Sequence, residues 1–222
     1  MSLERSRALV CARCRTLLRE PAWPRCERCG FPLGSGTAPL PTCLECRDWD
    51  EALGQARSAV VLRPPADALV HGFKYGGWGD LAGVMGRRMV QHAMPPGLRS
   101  GPFLVVPVPT TRRRLRSRGY NQAQLLAASV SEGVSQPLRE ALERRHGGLT
   151  QVGLHPGQRR ANVKNAFVAK DEALVVLSGA RVLLVDDVLT TGSTATAAAR
   201  ALVRAGAAEV FLSTFARACP YV

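Results

Sequence analysis

After residue 50, hydrophobic residues recur along this chain in two different patterns. Short apolar runs, typical of buried β-strands, alternate with stretches in which apolar residues recur every three or four positions, as in amphipathic helices. This alternation predicts an α/β fold with a parallel sheet flanked by helices. Strands are predicted at 58–62, 103–108, 166–169, 181–185 and 209–215. Helices are predicted at 65–74, 79–93, 120–133 and 194–205.

The first 50 residues differ in composition from the rest. They are rich in proline and glycine, show little apolar periodicity and contain six of the seven cysteines. Such a segment cannot bury a sufficient hydrophobic core of its own and needs a crosslink. We therefore predict two units, a cysteine module at residues 1–50 and an α/β domain at residues 51–222.

The cysteines of the module occur as Cys-x-x-Cys pairs. Two of these pairs are separated by 13 residues, and two such pairs can bring four thiolates around one structural Zn²⁺. Free or redox-active thiols are the alternative. The pair formed by Cys11 and Cys14 has no partner pair and is not assigned. The predicted zinc ligands are Cys26, Cys29, Cys43 and Cys46.

The overall charge points to negatively charged partners. A formal net charge of +13 suggests nucleic acid or phosphorylated metabolites, although an arginine-rich solvated surface is the alternative. Aromatic residues make up only 5% of the chain, so platforms on which bare bases could stack are scarce. The few candidates near the module and the KYGG turn, each more typical of a small core anchor, are Trp23, Phe31, Trp49 and Trp78. No apolar run reaches the roughly 18 residues of a membrane span, and no leader is recognisable, so we expect a cytoplasmic protein.

The segment VLLVDDVLTTGST (182–194) combines two carboxylates with a loop suited to an anion. Asp186 and Asp187 follow an apolar strand, and a turn rich in hydroxyl groups then enters a helix. Ligands of open α/β sheets bind at the carboxyl ends of strands, where helix N-termini offer free N–H groups to phosphate. The segment lacks the lysine of a Walker loop and contains no GxGxxG, so nucleoside triphosphate and dinucleotide motifs match poorly. We therefore predict a sugar phosphate, with a simple capping turn as the alternative. The predicted phosphate loop consists of Thr190, Thr191, Gly192, Ser193 and Thr194.

This segment resembles the phosphoribosyl pyrophosphate (PRPP) motif of type I phosphoribosyltransferases. Other stretches resemble, in the same order, those of the ComF family of competence proteins: FKYGG (73–77), FLVVPVPTTRRRLRSRGYNQAQLLA (103–127) and LTQVGLHPGQRRANVKNAF (149–167). The cysteine module also belongs to that family's pattern. The resemblance implies a type I phosphoribosyltransferase fold preceded by a small zinc-binding module.

The resemblance also implies roles for individual residues. The phosphate loop would bind the 5′-phosphate of PRPP, and Asp186 and Asp187 its ribose hydroxyls, near a Mg²⁺ ion held through hydroxyls or waters. The arginine-rich stretch 112–118 would be a mobile hood, kept open by like-charge repulsion, in which Arg116 and Arg118 stabilise the leaving group. A solvated or nucleic-acid-facing loop is the alternative for that stretch. Pyrophosphate would lie at a turn without basic residues, formed by Pro107, Val108, Pro109 and Thr110.

The implied reaction displaces pyrophosphate from the ribose C1 by an acceptor, a base or an amine, that the sequence does not identify. The segment 149–165 is a candidate for selecting this acceptor, and an ordinary polar connection is the alternative. A second hypothesis stays open, namely a non-catalytic protein that keeps the PRPP site and holds single-stranded DNA together with the DNA-uptake machinery. The biological context would be DNA uptake in natural competence or nucleotide salvage.

Overall fold

The computed structural model describes residues 9–145 and 166–219. The strands are β1 Ala56–Val61, β2 Leu104–Pro107, β3 Leu142–Arg144, β4 Phe167–Ala169, β5 Arg181–Leu189 and β6 Glu209–Arg217. Four of them form a parallel sheet in the order β1-β6-β5-β2. The strands β3 and β4 form a separate antiparallel pair.

Helices connect most of these strands. They are α1 Ala12–Leu17, α2 Ala66–Tyr75, α3 Leu81–His92, α4 Arg112–Arg118, α5 Gln122–Val134, α6 Leu174–Leu177 and α7 Ser193–Arg204. Short 3₁₀ turns occupy Pro96–Leu98 and Asp171–Ala173. Within the described ranges, no helix combines the length and the apolar character needed to cross a bilayer.

The central sheet is buried on both faces, which explains why its strands are continuous apolar runs rather than alternating ones. In β5, Val182 and Leu184 face one buried cluster, whereas Leu183 and Val185 face the other. Helices α2, α3 and α5 cover the second of these faces. Helix α7, the β3–β4 pair and the cysteine module cover the first.

The cysteine module is packed onto the α/β domain. Its four central cysteines belong to the same buried cluster as Ala198 and Leu202 of α7. The module therefore completes its core with residues of the domain, because a short segment with little apolar periodicity does not bury a sufficient core alone. The boundary near residue 50 stays a prediction.

The predicted elements are all present, with ends displaced by at most four residues. The largest difference is in β5, which continues through the two aspartates to Leu189. Its pairing with β6 persists there, with Val188 opposite Ala216 and Leu189 opposite Arg217.

The stretch 112–118, expected to be a loop, forms helix α4, and its mobility and its role as a hood stay predictions. The Thr111 Oγ1 accepts a hydrogen bond of 3.2 Å from the backbone N–H of Arg114, and Gly119 ends the helix with a φ of 81°. Arginine is a good helix former, and repulsion between exposed charges is weakened by water and salt. Capping and helix propensity therefore outweigh the repulsion between the arginine side chains.

Candidate functional site

The three strands β2, β5 and β6 end at one edge of the sheet. Pro107 of β2 lies opposite Val185 of β5, and Asp186 lies opposite Thr214 of β6. The backbone N–H of Val108 donates to the Val185 carbonyl at 3.0 Å. The turn after β2 therefore lies beside Val185 and Asp186 of β5, as the parallel pairing requires.

The phosphate loop turns sharply between β5 and α7. Gly192 has a φ of +82°, a left-handed conformation that favours glycine. The hydroxyls of Thr191 and Ser193 lie 2.9 Å apart, and both residues are exposed. Helix α7 begins at Ser193, and its first N–H groups have no partner within the helix. The Ser193 N–H donates to Thr191 Oγ1 at 3.4 Å. The loop thus presents exposed hydroxyls beside a helix N-terminus, the kind of donors that bind phosphate.

The two aspartates have different surroundings because successive residues of a strand face opposite ways. Asp186 lines a small cavity together with Thr190 and Thr194 of the phosphate loop. Asp187 is 7% exposed, and its Oδ1 lies 3.0 Å from the Nζ of Lys74. The structure therefore brings Asp186 to the phosphate loop and places Asp187 in an ion pair.

The carboxyl group of Asp186 is poised to titrate near neutrality. Burial among protein atoms, followed by the negative charge of Asp187, raises the pKa of Asp186 to about 7. The Asp187 backbone N–H, which donates to Asp186 Oδ1 at 2.8 Å, and the charges of Lys74 and Arg144 act in the opposite direction. A carboxylate perturbed in this way, beside a polar cavity, is typical of functional sites.

Lys74 is a site residue that the sequence analysis named only as part of a motif. It lies in the last turn of α2, and the Tyr120 hydroxyl donates to the neighbouring Phe73 carbonyl at 2.6 Å. This bond ties the end of α2 to the segment before α5. The sequence signal that could have pointed to Lys74 was the rarity of lysine, since it is one of three lysines among 30 basic residues.

The predicted arginines are not in contact with the acidic pair. The Arg118 Nη1 donates to Gln122 Oε1 at 2.9 Å, and its guanidinium lies 4.9 Å from the centre of the Tyr75 ring. Arg116 is exposed on α4. Within residues 9–145 and 166–219, no ion pair joins Arg116 or Arg118 to either aspartate. Arg144 of β3, which the sequence analysis did not single out, instead acts electrostatically on Asp186.

The predicted pyrophosphate turn lies beside the acidic pair. Pro107 and Val108 are buried, whereas Pro109 and Thr110 are partly exposed. The Asn121 Nδ2 donates to the Val108 carbonyl at 3.2 Å and braces the turn. The segment predicted to select the acceptor, 149–165, lies outside the described residues.

The four predicted zinc ligands form one cluster. The Sγ atoms of Cys26, Cys29, Cys43 and Cys46 all lie within 4.8 Å of one another. The separations of 3.7 Å, 3.6 Å and 3.9 Å between neighbouring sulfurs suit a tetrahedral zinc ion with Zn–S bonds of about 2.3 Å. The predicted clustering is confirmed, and the residues fit Zn²⁺.

The remaining cysteines lie apart from this cluster. Cys11 is exposed, and its Sγ accepts a hydrogen bond of 3.4 Å from the backbone N–H of Cys14 at the start of α1. Cys219 is buried. Among the described residues, neither Cys11 nor Cys14 belongs to a group that could hold a metal ion.

Comparison with known proteins supports the predicted fold. A phosphoribosyl transferase domain matches residues 118–218. Two solved structures resemble the chain, the allosteric regulatory enzyme of purine biosynthesis (22% identity, TM-score 0.40) and the glutamine PRPP amidotransferase of B. subtilis (20% identity, TM-score 0.44). The matches cover 61% and 72% of this chain but only 25% and 31% of those chains. With the parallel sheet, the domain match confirms a phosphoribosyltransferase fold.

Similar sequences extend over nearly the whole chain. A DNA utilization protein, YhgH of Salmonella typhi, is 30% identical over 206 residues, which cover 90% of this chain and 87% of that protein. Competence protein F of Haemophilus influenzae is 31% identical over 220 residues, covering 94% and 90%. Competence protein ComFC of Bacillus subtilis is 27% identical over 215 residues, covering 90% and 80%.

Removal of metal from the cysteine cluster should destabilise the protein. We expect about one zinc ion per chain, since four clustered thiols form one tetrahedral site. Chelation, or a Cys26→Ser substitution, should lower the free energy of unfolding by about 4 kcal/mol or more, as loss of a structural metal does. Zinc analysis and thermal unfolding measure both effects. Exposed Cys11 provides the control, because Cys11→Ser should change neither; equal losses in the two variants would contradict this assignment.

The raised pKa of Asp186 predicts how stability changes with pH. Between about pH 4 and pH 7 the native state keeps a proton on this carboxyl that the unfolded state releases, so the free energy of unfolding falls as pH rises through this range. Asp186→Asn removes this contribution. In urea unfolding at pH 5, 6, 7 and 8, we expect the variant to gain stability relative to wild type as pH rises. Parallel curves for the two proteins would show that Asp186 titrates normally.

Proposed function

Because the chain belongs to the ComF family of competence proteins, we propose that it binds PRPP with Mg²⁺ at the carboxyl edge of its sheet and transfers the phosphoribosyl group to a base or amine. The observation that carries this proposal is the cavity shared by Asp186, Thr190 and Thr194. In this cavity a carboxylate, which accepts hydrogen bonds from sugar hydroxyls, lies beside threonine hydroxyls, which donate hydrogen bonds to phosphate. A pentose phosphate carries both groups.

The acidic pair supports the sugar end of this ligand. Asp186 faces the phosphate-loop cavity and Asp187 lies one residue further along the strand. Ionised carboxylates accept hydrogen bonds from ribose hydroxyls. They also favour the positive charge that develops on the sugar ring as the bond to the leaving group breaks.

The same carboxylates fit a magnesium ion. Their mutual repulsion, which contributes to the raised pKa of Asp186, would be relieved by a divalent cation. Asp186 and Asp187 would hold the ion through ribose hydroxyls or waters, since Mg²⁺ usually keeps several waters. When bound, Mg²⁺ supplies neutralisation of charge on the pyrophosphate.

Lys74 supports the leaving-group end. The turn 107–110 contains no basic residue, and the Lys74 ammonium lies 3.0 Å from Asp187. Once ribose hydroxyls engage Asp187, this ammonium is free to contact pyrophosphate. Arg116 and Arg118, on the helix that follows the turn, would contribute further positive charge.

The proposed reaction needs no protein nucleophile. The acceptor nitrogen forms a bond to the ribose C1 while the bond from C1 to the pyrophosphate oxygen breaks. Pyrophosphate leaves with the electron pair, and the proton of the acceptor passes to solvent. The work of the protein is therefore to orient the sugar and to stabilise charge on both sides of C1.

We place this activity in DNA uptake or nucleotide salvage. Relatives of the chain are named for competence and for DNA utilization. Helix α4 exposes Arg112, Arg113 and Arg116 near the site, a surface suited to a second polyanion such as single-stranded DNA.

Asp186→Asn should weaken PRPP binding. Hydrogen bonds to charged groups contribute about 1.5–3 kcal/mol, so we expect the dissociation constant to rise by about tenfold or more. Isothermal titration calorimetry with PRPP and Mg²⁺ measures this, and Asp171→Asn, an exposed aspartate of a 3₁₀ turn, is the matched control. Equal affinity in wild type and Asp186→Asn would overturn the proposed function.

Lys74→Met should weaken binding of the pyrophosphate end of the ligand and leave binding of the ribose phosphate end unchanged. If Lys74 contacts pyrophosphate, PRPP binds the variant about tenfold more weakly, whereas ribose 5-phosphate binds as it does to wild type. Lys170→Met, at a lysine outside the site, should leave both affinities unchanged. A similar loss for PRPP and ribose 5-phosphate would show that Lys74 acts only by holding Asp187.

A further inference from the structure

Trp49 of the cysteine module touches the phosphate loop. Its indole Nε1–H donates to the Thr191 carbonyl at 2.9 Å, and its side chain is largely buried. The Trp49 backbone N–H donates to the Cys46 carbonyl at 3.1 Å. One residue therefore lies three positions from a zinc ligand and also against the loop proposed to bind phosphate.

The indole ring also occupies the space beside Gly192. A Cβ atom placed on Gly192 would lie 2.5–2.6 Å from atoms of the Trp49 ring. The ring thus lies flush against the backbone, at a glycine whose φ of +82° is already the left-handed conformation. Both the tight turn and the ring require glycine at this position.

The hydrogen bond to Thr191 determines where the next amide points. In a trans peptide, the C=O of one residue and the N–H of the next point in opposite directions. Trp49 holds the Thr191 carbonyl towards the module, so the Gly192 N–H is directed away from it. Gly192 lines the cavity that also contains Asp186 and Thr190.

The segment that carries Trp49 is itself held from two sides. The Arg28 guanidinium donates to the carbonyls of Cys46 at 3.2 Å and of Asp50 at 2.8 Å. The Asp50 carboxylate accepts from the Arg200 Nε of α7 at 2.8 Å. Because α7 begins with the phosphate loop, this ion pair fixes Trp49 relative to the same helix whose N-terminus faces the ligand.

We propose that Trp49 is a positioning residue for the phosphate loop, which makes the cysteine module part of the phosphate site. This inference rests on the proposed function for the identity of the ligand. The positioning itself is a property of the ligand-free protein and is tested separately.

The test compares wild type with Trp49→Phe, which keeps an aromatic ring and removes the N–H donor. We expect ¹⁵N order parameters at 190–194 to fall from about 0.85 towards 0.6 and the dissociation constants of PRPP–Mg²⁺ and ribose 5-phosphate to rise by about two- to tenfold. Trp23→Phe, at an exposed tryptophan of the same module, should change neither. Zinc content and thermal unfolding report whether each variant is folded.

A second variant covers the case in which phenylalanine disturbs the module. An isosteric tryptophan analogue with sulfur in place of the indole N–H preserves the shape and deletes only the hydrogen bond. Unchanged order parameters and affinities in this variant would overturn the positioning role. If the loop loosens in the variants while wild type itself binds neither PRPP–Mg²⁺ nor ribose 5-phosphate, the positioning of the loop is supported and the proposed function is overturned.

Discussion

Parallel pairing of β5 with its two neighbours determines where this protein places its polar chemistry. The pairs Pro107–Val185 and Asp186–Thr214 bring three strands into register at one edge, so the turn after β2 lies beside the acidic pair. A shift of β5 by one residue would exchange the faces of Asp186 and Asp187. Asp186 would then leave the phosphate-loop cavity. Burial of β5 on both faces opposes such a shift.

The ionic contacts of the two aspartates at this edge would be exchanged for contacts with the proposed ligand, rather than kept beside them. Asp187 is nearly buried and has its ammonium partner at 3.0 Å, while Arg144 favours the ionised form of Asp186. A buried carboxylate without a partner would be strongly destabilising, so the ligand-free protein needs Lys74. A ligand that carries hydroxyls, a divalent cation and a pyrophosphate offers substitutes for each of these contacts. Binding can then exchange ion pairs without leaving either aspartate unpaired.

Sequence patterns predicted the elements of the sheet well, because a parallel sheet buried on both faces leaves continuous apolar runs such as 182–185. They also predicted the cysteine cluster, since Cys-x-x-Cys spacing constrains geometry locally. The family resemblance implied a loop at Arg112–Arg118, where capping and helix propensity form a helix instead. The contacts of Lys74 and Trp49 could not be predicted, because each joins residues more than 100 positions apart. Such contacts depend on how elements pack, and periodicity describes only the elements.

The packing of the cysteine module onto the phosphate loop has a physical rationale for both partners. A loop of small hydroxyl residues and glycine makes few apolar contacts, so by itself it belongs to the least stable parts of a fold. Ordering such a loop when a ligand binds would cost conformational entropy and lower the affinity. The Trp49 ring against Gly192 provides that order before the ligand arrives. The module in turn has little apolar periodicity of its own, and its contact with α7 completes its core. The module therefore orders the phosphate loop, and the domain completes the core of the module. Loss of metal from the cysteine cluster should then disturb the phosphate loop through residues 46–50.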